Sequence, residues 1–527
     1  MRRPSWLGQT DLRALGLFRI TFGLATLVSL SDLRPFLRIG LSDEGFWPRS
    51  AAFAQDVDRF SLMDVSGPPW VAYGYWLLLM ASCVAFIVGW HSRAATVATF
   101  LLASGMMERT PDIFEGSDHV IRVLLFWSMF VPVGNWYSVD AALARARGRP
   151  LPAQGSALPV RLIGLQFGWI YLCTFLRKLP HETWRNGTAV SFALGLDHEY
   201  ARPLGHLMRT MPWATTAATY LTLVVEAAFV PLVFLPFGQP WARAIALASG
   251  FLFHAGIWMT MCIGAFSWVM VAAYPLLFEP AWVDWVVARS APIGKWLARA
   301  ALSGPGGDRL RSFAAAVAEN PHGTEGGSRS ERALAWSLLL GPPIVDVVRR
   351  SAQGALVALF VACVWSSAPV PDKFAAPPRL AQFVQRLELW QEWSMFSPDP
   401  YDTDLELRGD GQLVDRTNVD VLYGDEAHGP LPPSTHRFLA DRWFNVTRTL
   451  AWGSPNVLLE FGRFICRHWN RDDRPAGRPL LAKFRLSRVE RAISPKRLAL
   501  GKAQATVVWD QTCVDPPATP GPPAPVP

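Results

Sequence analysis

Apolar residues in this chain run in long, nearly unbroken stretches, not in the alternation of a strand or the stripe of a surface helix. A membrane span needs about 20 mainly apolar residues, fewer where neighbours bury the helix. Residues 12–31, 69–90, 94–107, 119–136, 159–177, 214–236, 242–261, 264–279 and 352–370 meet that description and predict nine transmembrane helices, the third and eighth being short. Arg2 and Arg3 precede the first stretch as in a signal peptide. Arg19 interrupts it and no small-x-small site closes it, so an uncleaved first span is expected.

Beyond residue 371 the pattern changes. "DTDLELRGDGQLVDRTNVDVL" alternates apolar and polar positions around Gly-Asp-Gly, which predicts a β-hairpin turning there. "KFRLSRVERAI" and "AQATVVWDQTCV" read as two further strands, and "DRWFNVTRTLAW" and "NVLLEFGRFICRHWN" as helices. Residues 303–333, rich in Gly and Ser, read as a flexible connector with one short helix. The fold class expected is an all-α multi-span integral membrane domain of about nine helices with a smaller extracytoplasmic α+β domain. Its parts are a membrane domain over 1–280, a cytoplasmic connector over 281–350 and a last span over 351–370. The α+β domain then occupies 371–515 and a proline-rich, disordered or extended tail 516–527. No internal repeat is evident.

Composition sharpens this picture. Of 527 residues, 51% are hydrophobic and 17% charged, against roughly 25% charged in a soluble domain. The 24 tryptophans suit a protein with many residues at bilayer interfaces. A net charge of +8 is spread through short loops, so it points to the lipid bilayer as partner and not to nucleic acid. The basic segments "MRRPSW", "ARARGRP" and "ARSAPIGKWLARAALSGPGGDRLRSF" all fall on one side of nine spans, which makes that side cytoplasmic. A multi-pass cell-membrane protein follows, with its N-terminus inside and residues after Pro371 outside. Cys83, Cys173, Cys262 and Cys363 lie in apolar runs. Cys466 and Cys513 alone lie outside them, and an extracytoplasmic setting would let them bond. No metal is expected, since no C-x-x-C, H-E-x-x-H or calcium-loop spacing occurs.

Candidate chemistry begins at "FLRKLPHETWRNGTAV", where Arg177 and Lys178 close the fifth apolar run. A lysine there either snorkels to the lipid surface as an anchor or sits partly desolvated as a neutral amine able to take a proton. His119 opens the fourth span and reads either as a first-turn residue behind a Ser117 or Asp118 cap or as a site residue. His254 lies inside "LASGFLFHAGIWMTM", where an imidazole needs a partner, either as a satisfied core histidine or as a functional one. Arg19, Arg122 and Glu226 read as structural charges, with Glu226 neutralising one of the arginines and Arg122 sharing a helix face with His119. Asp399, Asp402, Asp404 and Glu406 read as a solvated strand edge.

Four segments in order carry a resemblance. "LGLFRITFGL" with "SDEGFWPR", "GSDHVIRVLLFWSMFVPVGNWYSVDAAL", "IYLCTFLRKLPHETWRNGTAV" and "FHAGIWMTMCIGAFSWVMVAAYPLLF" resemble the vitamin K-dependent gamma-carboxylases and their bacterial relatives, the HTTM (horizontally transferred transmembrane) domain proteins. The likeness spans roughly 10–280 and extends weakly to "LWQEWSMFSP". It implies a carbon–carbon lyase that uses a reduced naphthoquinone or other quinol with oxygen and carbon dioxide, and acts on a peptide or protein substrate. It places the family's base at Lys178 and its histidines at His119 and His254 as catalytic residues, with Arg177, Trp184 and Arg122 as cofactor-binding residues. Arg177 stands where the carboxylases have a first lysine, Ser397-Pro398 stand where they continue toward a histidine, and 371–527 has no counterpart of their propeptide-recognising region. The competing expectation is a non-catalytic membrane protein that binds a quinone or lipid, or assembles with partners.

Overall fold

The structure, a computed structural model, describes residues 8–55, 61–149, 151–196, 200–236, 238–303, 342–423, 442–453, 455–471, 477–495 and 500–514. Most of the connector expected over 303–333 and the whole proline-rich tail lie outside the described residues.

Long helices dominate. In chain order they are α1 (Arg13–Ser31), α2 (Pro69–Val88), α3 (Ser92–Arg109), α4 (Gly116–Ser128), α5 (Ala157–Lys178), α6 (Pro212–Phe234), α7 (Trp241–Thr260), α8 (Phe266–Ala272), α9 (Pro280–Ser303) and α10 (Pro342–Ser367). Six are long and apolar enough to cross a membrane, namely α1, α2, α5, α6, α7 and the Val347–Ser367 part of α10. A seventh crossing arises if Phe266–Leu277 and Pro280–Pro292, bent by 115° at their junction, count as one. α3 and α4 do not qualify among the described residues. α3 carries Ser92, Thr96, Thr99 and Ser104 on its buried side, and α4 has only 13 residues. Both are nonetheless packed inside, because buried hydroxyls on α3 bond to oxygens of their own or a neighbouring helix (Thr96 to Ser92 O at 2.7 Å, Thr99 to Ala95 O at 2.8 Å).

Contacts define two ends of this bundle. At one, strands β1 (Gln9–Asp11) and β2 (Gln154–Ser156) pair, and Ser92 and His91 bind Asp140. At the other, Arg109 meets Asp43 and Asp64, and the C-terminal part of the chain docks. That part comprises α11 (Pro378–Arg386), β3 (Thr403–Leu413), β4 (Asn418–Asp420), α12 (Trp443–Trp452), α13 (Pro455–Trp469), β5 (Leu481–Ala492) and β6 (Gln504–Thr512). The strands form one antiparallel sheet in the order β4-β3-β5-β6. Its helices and inner face share a hydrophobic core with the loops after α1: Phe36 and Phe46 pack on Trp443, Phe461 and Phe464. Arg442, fully buried, reaches into the bundle to Asp118 at 2.5 Å and to Ser29 O at 3.0 Å.

Two sequence expectations are corrected here. The hairpin exists, but its turn does not fall at Gly-Asp-Gly. β3 runs straight through Gly409, Asp410 and Gly411, and the chain turns at Asp415–Arg416, where Arg416 adopts φ 73°. Gly411 is needed for packing, since a β-carbon there would stand 2.3 Å from Val421. The acidic run is a solvated edge only in part: Asp399 and Asp402 are exposed and β4 pairs only with Asp410–Gln412 of β3, but Asp404 is fully buried near Arg491 and Asp399 binds the segment after α5. Cys466 and Cys513 are bonded, with Cα atoms 5.3 Å apart, and tie α13 to the end of β6.

Candidate functional site

Lys178 is the last residue of α5 and is only 4% exposed. The chain folds back after Pro180, and a short helix, Glu182–Arg185, lays the buried Trp184 over the amine. Nζ stands 4.6 Å from the Trp184 ring centroid, a distance at which a cation is held by the ring quadrupole. It donates to Glu226 Oε1 at 2.5 Å, on the inner face of α6. Glu226 therefore neutralises Lys178 and not an arginine; Arg19 instead donates to the carbonyls of Ile87, Val133, Trp136 and Tyr137. The second carboxylate oxygen, Glu226 Oε2, is buried without a hydrogen-bond partner. A buried pair of opposite charges is costly to strip of water and is held in place only by close geometry.

His254 sits deeper, 1% exposed, on α7. Its Nε2 is 2.8 Å from the Tyr171 hydroxyl, which is 3.1 Å from the Tyr274 hydroxyl. Tyr171 stacks on Phe229 with ring centroids 4.0 Å apart. Gly250 makes room for Tyr274, because a β-carbon there would lie 2.3 Å from the Tyr274 hydroxyl. His254 Nδ1 is buried and has no partner. This cluster and the Lys178–Glu226 pair share two helices: Tyr171 and Lys178 are two turns apart on α5, and Phe229 and Glu226 one turn apart on α6.

His119 belongs to a second cluster. It is half-buried on α4, with Nδ1 3.3 Å from Arg122 Nη2. Glu115 is the helix cap, its N–H donating to Asp118 Oδ2, so neither Ser117 nor Asp118 occupies the cap position. Arg122 pairs with Glu108 at 3.2 Å and Glu388 at 3.0 Å and donates to Trp390 O at 3.3 Å. Among the described residues, no hydrogen bond or ion pair joins His119 to Lys178 or His254. What lies across both clusters is a strap over 388–399. From it Glu388 holds Arg122, Gln391 bonds Gln166 at 2.7 Å, Glu392 lies 3.9 Å from Arg177, and Phe396 O accepts from Trp184 at 3.1 Å. Asp399 accepts from the Thr183 hydroxyl and faces His181. Sequence reasoning missed the strap and gave Glu226 an arginine as its partner in place of Lys178; the strap's one signal was the "LWQEWSMFSP" segment.

The orphaned Glu226 Oε2 and His254 Nδ1, set among Tyr171, Tyr274, Phe229 and Trp184, are the kind of polar ends and apolar walls that a two-hydroxyl aromatic ring requires. An open groove of about 590 Å³ lies elsewhere, on the sheet beside Asp410 and Asp510, and holds no orphaned buried group.

A helical membrane protein with its charged and imidazole groups gathered inside the bundle is the class these features define. Residues 8–282 match the HTTM domain, more than half of the chain, and the protein belongs to the HTTM domain family. No solved structure matches it.

Burial, and then the neighbouring Glu108 carboxyl, push the Glu388 carboxyl from its usual 4.5 up to about 9, with Arg122 pulling the other way. The folded chain therefore holds a proton between these pH values that the unfolded chain releases, and its stability falls as pH rises through that window. Arg122, Glu108 and the nearby His119 are the charged or titratable groups facing it. Glu388→Gln is expected to flatten this fall, as measured by thermal unfolding in detergent between pH 5 and 9. An unchanged pH dependence would remove Glu388 as its source.

Proposed function

We propose that this HTTM protein is a carboxylase-like membrane enzyme that uses a reduced quinone, with the Lys178–Glu226 pair as its proton-handling centre. The observation that carries the reading is the burial of Lys178: it is turned inward onto Glu226 and covered by Trp184, where an anchoring lysine would extend to the lipid surface. The HTTM domain supports it through the gamma-carboxylase-like family that this domain suggests. In this reading Lys178 and Glu226 hold and move a proton, His254 and Tyr171 orient the ligand through the free Nδ1, and Trp184 with the strap excludes water. Arg177 and Arg122 position the strap through Glu392 and Glu388. A bound quinol would supply an acidic hydroxyl and reducing equivalents for oxygen. Carbon dioxide would be the co-substrate, and a peptide or protein the acceptor.

A second reading, a non-catalytic protein that binds a quinone or lipid, draws support from the full pairing of Lys178 with Glu226, which leaves the amine no free lone pair when it is charged. Purified protein supplied with menadiol, oxygen, labelled bicarbonate and a membrane-protein extract as acceptor separates the two. The enzyme reading expects label fixed in protein by the wild type and lost in Lys178→Ala. Menadiol binding without fixed label would leave the second reading.

The same proposal orients the chain with the β1–β2 end cytoplasmic and the sheet extracytoplasmic. Nine crossings fit this, because α3 runs from Asp140 at one end to Asp43 at the other, and α4 starts beside Arg442. All four free cysteines are buried, so single reporters are readable. An impermeant thiol reagent on intact cells is expected to modify Asp410→Cys and spare Arg147→Cys. The reverse labelling would overturn the orientation.

A further inference from the structure

A base needs an open lone pair, and the geometry at Lys178 decides where the open one is. Nζ is engaged with Glu226 Oε1 and lies over the Trp184 ring. An amine and a carboxyl in one hydrogen bond share one proton, whether written as ammonium–carboxylate or amine–acid. Ammonium is the form that a ring face stabilises. In that form every lysine hydrogen is a donor and no lone pair is left. The open acceptor is then Glu226 Oε2, buried and without a partner. The Thr174 hydroxyl lies beside the same carboxylate, close enough to act on it, and donates to Ile170 O at 2.9 Å and Tyr171 O at 2.8 Å within its own helix. Tyr171, Thr174 and Lys178 follow each other along one face of α5, with Glu226 and Phe229 opposite on α6. The carboxylate thus faces a lane of polar atoms that ends at His254.

We propose that Glu226 is the proton-accepting residue of this site and that Lys178 is its fixed cationic partner. The proposal rests on the quinol reading above. One proton moves: an O–H bond of the ligand breaks, its electron pair stays on the ligand oxygen, and a new O–H bond forms on Glu226 Oε2. The Lys178 ammonium keeps its protons and, released from a full carboxylate charge, balances the new anion. No oxidant takes part in this step. Glu226 also explains why the motif around Lys178 is incomplete by itself: its working partner comes from the next span, 48 positions further along the chain.

Infrared difference spectra of the purified full chain, recorded without oxygen or bicarbonate on adding menadiol, test this. Quenching of tryptophan fluorescence reports menadiol binding in parallel. The expected result is a new carboxylic-acid C=O band in the wild type and in Lys178→Arg, where a cation still faces Glu226. Glu226→Gln is expected to lose the band. Glu226→Asp, which keeps a carboxyl should the amide variant not fold, is expected to show it at a shifted frequency. Menadiol binding with no band in the wild type overturns the assignment and leaves the quinol reading standing. So does a band that persists in Glu226→Gln, is unshifted in Glu226→Asp, or disappears in Lys178→Arg. Absence of both binding and band in the wild type overturns the two together.

Discussion

A cation buried among apolar helices costs several kcal/mol unless oxygen atoms replace the water it has lost, and five of the six lysines and arginines buried among the described residues govern how this bundle is assembled. Arg19 takes carbonyls from the last turn of α2 and from the loop after α4 and so locks α1 to both. Arg109 draws in Asp43 and Asp64, which fixes the loops following α1. Arg122 gathers Glu108 and Glu388, Lys178 takes Glu226, and Arg442 enters from the C-terminal part to meet Asp118. Most of these pairings join stretches far apart in sequence, so each constrains how those stretches pack.

This has a consequence for the site. The C-terminal part is not a free appendage: its aromatic residues share a core with the loops of the bundle, and Val384, Leu389 and Trp393 belong to the core of the helices themselves. The strap between them therefore sits over Trp184 and Arg122 as part of the packing. Residues 388–399 hold Trp184, which covers Lys178, through Phe396 O, and hold the bundle through the Glu388 carboxyl. Closure of this kind keeps water from the ion pair and strengthens it, since a charge pair gains in a low dielectric what it loses in hydration only when its geometry is tight.

Much of this was legible in the sequence, for physical reasons that also mark the limit. Apolar runs located the long helices except α9, which was read as part of the connector, because burial in lipid or protein demands continuous apolarity. They could not separate a helix facing lipid from one enclosed by neighbours, so α3, with its threonines and serines, was read as a span although its composition falls short of one. Alternation located the strands, yet Gly409 and Gly411 were taken for a turn when their role is to admit Val421. Cys466 and Cys513 stood out as the two cysteines outside the apolar runs, and they are bonded. Lys178 and His254 were visible as ionisable residues at or within apolar runs, and the family resemblance set them together with His119 as site residues. Glu226 as the lysine's partner, Tyr171 as the partner of His254 and the reach of Glu388 to Arg122 were not, because periodicity along one helix carries no information about which residue faces it.

The account turns on the buried pair between Lys178 and Glu226, and a double-mutant cycle on unfolding in detergent measures it directly. Lys178→Met and Glu226→Gln should each cost ~3–5 kcal/mol, since each leaves one charge buried alone. The double variant should cost less than either, because neither charge remains. Single variants that each fall within ~0.5 kcal/mol of the wild type, as exposed side chains do, would contradict the account and return Lys178 to the lipid surface.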